Sequence, residues 1–457
     1  MNECPFFPKP HKNKATLWTT FFLKRRSWLD GLYEKSYTMK SGRVKMPGFD
    51  LYIANHPQDI RRIMVDEVRD FPKSDLLHEL LSPLLGESIF TTNGELWEKQ
   101  RELLRPSFEQ ARITKVFGLM KEAVDEMMQK IHQYPNNSII EIDEIMTFVT
   151  ADVIFRTIMS KRLDSLKGKE VLEAFAIFQK ETVHTAIWKM FCFPKWLCYI
   201  LGERKRMKAG EVIRKALSDI IKPRYEEIQR GEKGEYQDIL SSLLEVVDKQ
   251  RKQRFSFEEI LDQVAMLFLA GHETSASALS WTLYILSIAP KEQEIAYKEI
   301  CEVVKEEEFS LQHLRKVKYL TNIFKESLRL YPPVGFFART AIKKTKIRNK
   351  LLKEGSGVVV APWLIQRHSD YWKNPHEFDP SRFEEKQGII KDTYIPFGMG
   401  ERICIGQGFA MQEAVLILAN ILRTYKIELQ ENFVPDVVGR LTIRSNNGMY
   451  IKFTKRE

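Results

Sequence analysis

At 457 residues, with 44% hydrophobic and 11% aromatic residues, the chain holds enough apolar material for a large core and bears no mark of disorder or of a fibrous repeat. A formal net charge of +10 suggests an acidic partner, but Lys and Arg are scattered and no aromatic–basic nucleic-acid module stands out, so no nucleic-acid partner is expected. Five cysteines, an odd number without a C-x-x-C pair, argue against a disulfide framework or a cysteine-type zinc site and fit a reducing, cytoplasmic compartment.

The N-terminus, Met1-Asn2-Glu3-Cys4-Pro5, is not a basic leader, and the first apolar patch, Leu17 to Leu23, is too short for a signal sequence or a membrane span. A soluble protein with no transmembrane anchor is expected. No repeat and no long linker divides the chain, so one domain over 1–457 is expected. A strand-like run at Gly42–Ile53 precedes a region, about 57–330, that reads mostly helical. In it a leucine-rich segment (Leu76, Leu77, Leu80, Leu81, Leu84, Leu85) runs up to Phe90. Helical patterns follow over 95–131, where Trp97 and Arg101 share a face at i, i+4, and then over 141–160 and 205–230. Between the last two, Trp188, Phe191, Phe193 and Trp196 cluster; peripheral membrane contact is a candidate role for them.

The 256–289 segment is the most telling helix. Ser256 and Glu259 stand at capping-box spacing and Pro290 marks its end. It is apolar nearly all round, which suits a buried central helix. Its interruptions are Asp262 and the run Ala270-Gly271-His272-Glu273-Thr274. A Thr inside a helix can bond a carbonyl one turn back and loosen the ladder.

Glu326-Ser-Leu-Arg329 places an acid and a base on one helix face before Pro332-Pro333. Phe336, Phe337 and Arg339 come next, then a strand-like run at Gly357–Ala361 and the segment Pro375-His-Glu-Phe-Asp-Pro-Ser-Arg382-Phe383. Phe397-Gly-Met-Gly-Glu-Arg-Ile-Cys-Ile-Gly406 is a glycine-rich loop that delivers one cysteine, Cys404, to the start of a helical pattern, Gln407 to Tyr425. A helix N-terminus favours thiolate over thiol. Gly398 and Gly400 permit a bulged backbone, Gly406 a close approach to the sulfur, and Arg402 is placed to meet an anionic group. A dinucleotide fingerprint fails because Ile403 stands where its third glycine belongs, and a nucleophilic cysteine lacks a local His base. Strand-like runs at Leu441–Arg444 and Met449–Phe453 close the chain.

The cysteine loop resembles F-x-x-G-x-R-x-C-x-G, the haem loop of the cytochrome P450 family, at Phe397, Gly400, Arg402, Cys404 and Gly406. The supporting motifs stand in order: W-x-x-x-R at Trp97 and Arg101, A/G-G-x-D/E-T at Ala270–Thr274, E-x-x-R at Glu326 and Arg329, and P-x-x-F-x-P-x-R-F ending at Arg382 and Phe383. The resemblance covers essentially the whole chain. It implies a mainly α fold with small β-sheets and haem b between the long helix and the Cys404 loop.

Cys404 would ligate the iron, with Phe397 beside it. Arg101, Arg402 and Arg339 would meet the propionates, Trp97 sharing the helix that borders the haem. Glu326 would be held between Arg329 and Arg382 as a structural network. Thr274 would donate a hydrogen bond to O2, Glu273 would help relay protons, and Gly271 would remove a side chain where the helix crosses the haem. His272 falls on the family's variable position and is not expected to ligate. Phe90, Ala270, Phe336 and Phe337 are candidate pocket residues for a bulky hydrophobic substrate such as a fatty acid, terpenoid or steroid. Electrons would come from a ferredoxin or flavodoxin with its reductase, so that NAD(P)H acts only indirectly. A peroxygenase or isomerase, or a non-enzymatic haem sensor, are the rival functions; the intact Glu273–Thr274 pair argues for O2 activation.

Overall fold

The computed structural model describes residues 5–13, 27–46, 49–166, 168–232, 236–246, 254–305, 308–384 and 389–456. The Leu17–Leu23 patch and Cys4 lie outside them. The principal elements, in chain order, are β1 (Ser41–Met46), β2 (Phe49–Ala54), α1 (Asp75–Leu85), α2 (Gly94–Leu104), α3 (Gln110–His132), β3 (Ser138–Glu141) and α4 (Ile142–Met159). Then come α5 (Gly168–Met190), α6 (Arg204–Gln229), α7 (Phe257–Ile288), α8 (Pro290–Val304), α9 (Lys318–Leu330), β4 (Phe337–Thr340) and β5 (Gly357–Val360). The last are α10 (Gln407–Thr424), β6 (Tyr425–Leu429), β7 (Val437–Gly439), β8 (Ile443–Ser445) and β9 (Tyr450–Lys455).

Helix α7 is the axis of the molecule, and α1, α4, α6, α9 and α10 pack around it. Its start is the expected reciprocal cap: Ser256 Oγ accepts the Glu259 amide at 3.2 Å and Glu259 accepts the Ser256 amide at 2.8 Å. Pro290 lacks an N–H and opens α8, which ends α7 at the expected place. Most of α7 is buried, so its apolar circumference follows from its position rather than from a membrane. Among the described residues, no helix is long and apolar enough to cross a membrane.

The sheets are small. β1-β2-β5-β4 form one, in which only the β2–β5 pair is parallel; β3-β9-β6 form a second and β7–β8 a ribbon. The run at 42–53 is therefore a hairpin rather than one strand. The leucine-rich segment before Phe90 is helix α1: Leu80, Leu81, Leu84 and Leu85 point into the core at helical spacing. The C-terminal ribbon is fastened to α7, since Ser277 Oγ and Trp281 Nε1 both donate to the Ile443 carbonyl, at 2.7 and 2.8 Å.

Candidate active site

The Cys404 loop is shaped by backbone bonds and glycine. The Gly398 amide donates to Ile395 O at 3.1 Å and the Cys404 amide to Phe397 O at 2.9 Å. Gly398 (φ +72°) and Gly400 (φ +70°) occupy the left-handed region, and a Cβ on Gly400 would lie 2.7 Å from the Met64 carbonyl. Gly406 differs from expectation: a Cβ there would meet nothing within 4 Å, and its contribution is its amide, which faces Cys404. Burial pushes the Cys404 thiol up, against the Gly406 N–H and the Arg101 charge, so the helix N-terminus alone does not make a thiolate. Cys404 is nevertheless an exposed residue, and a metal cation at its sulfur would supply the missing stabilisation of the anion.

Four cations converge beside this loop. Arg101, on α2, donates to Ile403 O at 2.7 Å and so holds the loop itself. Arg402 donates to Phe71 O at 3.3 Å and lies over the Trp97 ring, 5.4 Å from its centroid. Arg339, on β4, reaches only the neighbouring Ala338 carbonyl, at 2.9 Å. The fourth is Lys73, which the sequence did not single out. It is buried, bonds the Ile89 and Thr92 carbonyls at 2.6 and 2.7 Å, and sits 5.7 Å from the Trp97 ring. Burial first, then Arg402, Arg339 and Arg101, push Lys73 down to about 6; burial and Arg402 push Arg339 down to about 9. The Nε atoms of Arg339 and Arg402 are buried without a hydrogen-bond partner. Among the described residues Lys73 and Arg339 have no ion pair and Arg402 has only a 4.0 Å contact with Glu401; buried cations so poorly neutralised are costly, so the cluster fits a ligand that carries more than one carboxylate. Haem, with two propionates and an iron for Cys404, meets both demands.

Glu326 is held between two arginines. Glu326 and Arg329, both fully buried, make a bidentate pair at 2.7 and 2.8 Å, and Arg382 reaches Glu326 at 3.2 Å. Arg329 also donates to the carbonyls of Gln366, Pro375 and Glu377 at 2.9, 2.7 and 2.9 Å.

On helix α7 the Thr274 hydroxyl donates to Ala270 O at 2.6 Å. The helix runs through this point without interruption. Gly271 does not face a cofactor surface: a Cβ there would meet Ile154 Cδ1 at 2.4 Å, so the glycine serves the close crossing of α4 and α7. His272 is buried between Phe175 and Phe268, at ring distances of 4.4 and 4.5 Å, and its Nδ1 pairs with Phe268 O; burial pushes it down to about 4. That packs the ring as a neutral core side chain.

Glu273 is committed elsewhere. Its carboxylate accepts from Thr442 Oγ1 at 2.5 Å and from Arg444 at 2.8 and 3.2 Å, and Arg444 also pairs with Asp143 at 2.6 Å. Arg444 outweighs burial and holds Glu273 below the usual carboxylate range.

A second buried acid was not foreseen. Glu413, on α10, has both carboxyl oxygens buried without a well-formed hydrogen bond, and burial pushes it up to about 8, opposed only by the Ser275 hydroxyl. Ser275 is the residue after Thr274. Because the folded form holds this proton longer than the unfolded chain, stability falls as pH rises from about 4.5 to about 8. Glu413→Gln should remove that slope and stabilise the protein by roughly 1–3 kcal/mol at pH 9. Thermal melts of both proteins from pH 5 to 9 check this; parallel curves would refute it.

The candidate pocket residues separate. Phe336 packs edge-on against Trp28 at 5.2 Å, whereas the Phe337 ring lies 3.7 Å from a Cβ on Gly398, toward the cysteine loop. Phe90 and Ala270 are half-buried against the main core. A cavity of about 470 Å³ opens where α1 meets the end of α5 and β5, walled by Leu76, Glu79, Lys189, Phe193 and Gly357. Neither Cys404 nor Thr274 lines it. Beside it Trp196 and Ile200 are 66% and 68% exposed, the most solvent-facing of the large apolar side chains described.

A family model described as Cytochrome P450 matches residues 10–451. The chain is 31% identical over 397 residues to echinocystic acid 23-monooxygenase of Saponaria officinalis, covering 82% of this chain and 75% of that protein. It is 28% identical over 413 residues to human cytochrome P450 4V2, covering 86% and 78%. With cytokinin hydroxylase of Arabidopsis thaliana it shares 28% over 383 residues, covering 83% and 74%. The crystal structure of the cytochrome P450DA heme domain superposes with a TM-score of 0.80 at 25% identity, over 92% of this chain and 90% of that one.

Proposed function

Since the chain belongs to the cytochrome P450 family, oxidoreductases that incorporate oxygen, we propose that it is a haem b monooxygenase inserting one atom of O2 into a bulky hydrophobic small molecule. The observation that carries this reading is the approach of Arg101, Arg339, Arg402 and Lys73 to the loop that presents Cys404, with a 4.0 Å contact from Arg402 to Glu401 the one acid pairing among the described residues. Cys404 would ligate the iron and these cations would hold the propionates. The sequence has no C-x-x-C-H segment for covalent attachment, which favours non-covalent haem b. A thiolate-ligated haem supplies activation of O2, because the thiolate pushes electron density toward O–O cleavage.

The rest is done by side chains. Thr274 donates to Ala270 O at rest and turns that proton toward O2. Glu413, pushed up to about 8 by burial, lies beside the Ser275 hydroxyl. Glu273, held ionised by Arg444, anchors α7 to β8 rather than delivering the proton. Thr274→Ala is expected to keep consuming O2 and electrons while product per electron falls by about tenfold or more and peroxide rises. Unchanged product per electron would remove Thr274 from the mechanism.

Electrons arrive from a separate acidic ferredoxin or flavodoxin with its reductase, NAD(P)H being consumed there. Exposed Arg105 follows the α2 helix that touches the Cys404 loop, and the net charge of +10 suits an acidic donor. Raising ionic strength from 0.05 to 0.5 M should weaken the apparent KM for such a donor by about tenfold. Equal values at both strengths would rule out charge-steered docking.

A further inference from the structure

The end of helix α9 poses a hydrogen-bonding problem that its sequence creates. In a continuing helix the carbonyls of Leu328 and Arg329 would accept from residues 332 and 333, but these are Pro332 and Pro333, which have no N–H. Both carbonyls are buried with their residues, where an unmet acceptor is costly.

Gln366 meets both. Its side chain is fully buried, and Nε2 donates to Leu328 O and to Arg329 O, each at 3.0 Å. Its backbone carbonyl accepts from Arg329 Nη1 at 2.9 Å, which ties it to the Glu326–Arg329 pair. Its remaining polar atom, Oε1, accepts the amide of Ile395 at 2.9 Å. Ile395 is where the cysteine loop begins: its carbonyl takes the Gly398 amide, and Phe397 O takes the Cys404 amide. Every polar group of the Gln366 side chain is thus used, two on the helix and one on the loop.

We infer that Gln366 is a positioning residue for Cys404, a side chain that transmits the rigidity of the buried Glu326–Arg329 pair and the α9 terminus to the start of the cysteine loop. The inference deepens the haem-thiolate reading and rests on it for the role of Cys404. The amide group is suited to this because it offers two donors and one acceptor in one plane; an apolar side chain of equal length offers none. A loop left without this bond would hold the sulfur in a wider spread of positions, and thiolate ligation depends on that position.

Two measurements on the purified holoenzyme test it. In the wild type, hydrogen exchange of the Ile395 amide should be as slow as that of the buried turns of α9; exchange as fast as in exposed loops overturns the inference without any variant. In Gln366→Met, peptides covering 395–404 should exchange tenfold faster or more while α7 stays protected. The thiolate-type band of the reduced, carbon-monoxide-bound protein should fall by half or more at temperatures where the fold is intact, the ordinary band growing in its place. Unchanged loop exchange and band, or protection lost equally in α7, overturns the positioning role; if the variant does not fold, the wild-type exchange decides. Absence of the thiolate band from the wild type itself would instead refute the Cys404 reading, and the exchange pattern would still judge Gln366.

Discussion

Replacing Cys404 by Ala should abolish the strongly red-shifted Soret band of the reduced, carbon-monoxide-bound protein and lower haem content by tenfold or more. The loop that carries Cys404 is built without help from the sulfur: its amide bonds to Phe397 O, Arg101 holds Ile403 O, and Gly398 and Gly400 set the bulge. The variant is therefore expected to fold and to keep its cation cluster, so loss of the band would report loss of the ligand rather than loss of structure. A thiolate is the softest anionic donor at this point, and water or a neutral side chain in its place gives a different spectrum. Survival of the thiolate-type band in Cys404→Ala would overturn the ligand assignment. The buried ring of His272 is poorly placed to substitute, because it is enclosed by Phe175 and Phe268 and its Nδ1 pairs with Phe268 O.

Glu326→Ala should cost about 3–5 kcal/mol of stability and strip the protein of haem during purification. The expectation follows from what is left behind. Arg329 is fully buried and shares its charge with Glu326 through two short bonds. Without the carboxylate its guanidinium keeps three carbonyl partners but no counter-charge, and Arg382 and the Asp379 amide lose their shared acceptor as well. Glu326→Gln, which keeps shape and one acceptor, should cost less than Ala. Chemical denaturation of the three proteins measures both differences; a Glu326→Ala variant within 1 kcal/mol of wild type would show that the pair does not carry the loop.

The elements that could be read in the sequence are those whose cause is local. The Ser256–Glu259 cap, the Pro290 stop and the glycines around Cys404 announce themselves within a few residues, and they stand where expected. The Glu326–Arg329–Arg382 network also emerged, because its spacing belongs to a known pattern. Lys73, Gln366, Glu413 and Arg444 stayed hidden for a common reason: each acquires its environment from segments remote in sequence. Lys73 between a proline and a serine reads as a solvated charge until Trp97 and three arginines close around it. Glu413 reads as the polar face of a helix, and only the packing of α10 on α7 buries it. Gly271 and Glu273 show the converse, since both stand in a recognisable motif and yet the partners they find, Ile154 and Arg444, are set by tertiary contacts.

The bond between Glu273 and Arg444 also sets a timetable. The two residues are 171 positions apart, so a ribosome working at about 5–20 residues per second exposes the acid roughly 10–30 s before its base exists. During that interval the middle of the central helix carries an unneutralised carboxylate and cannot close into a dry core. The charge at the centre of α7 is therefore neutralised late, by the C-terminal ribbon that carries Arg444.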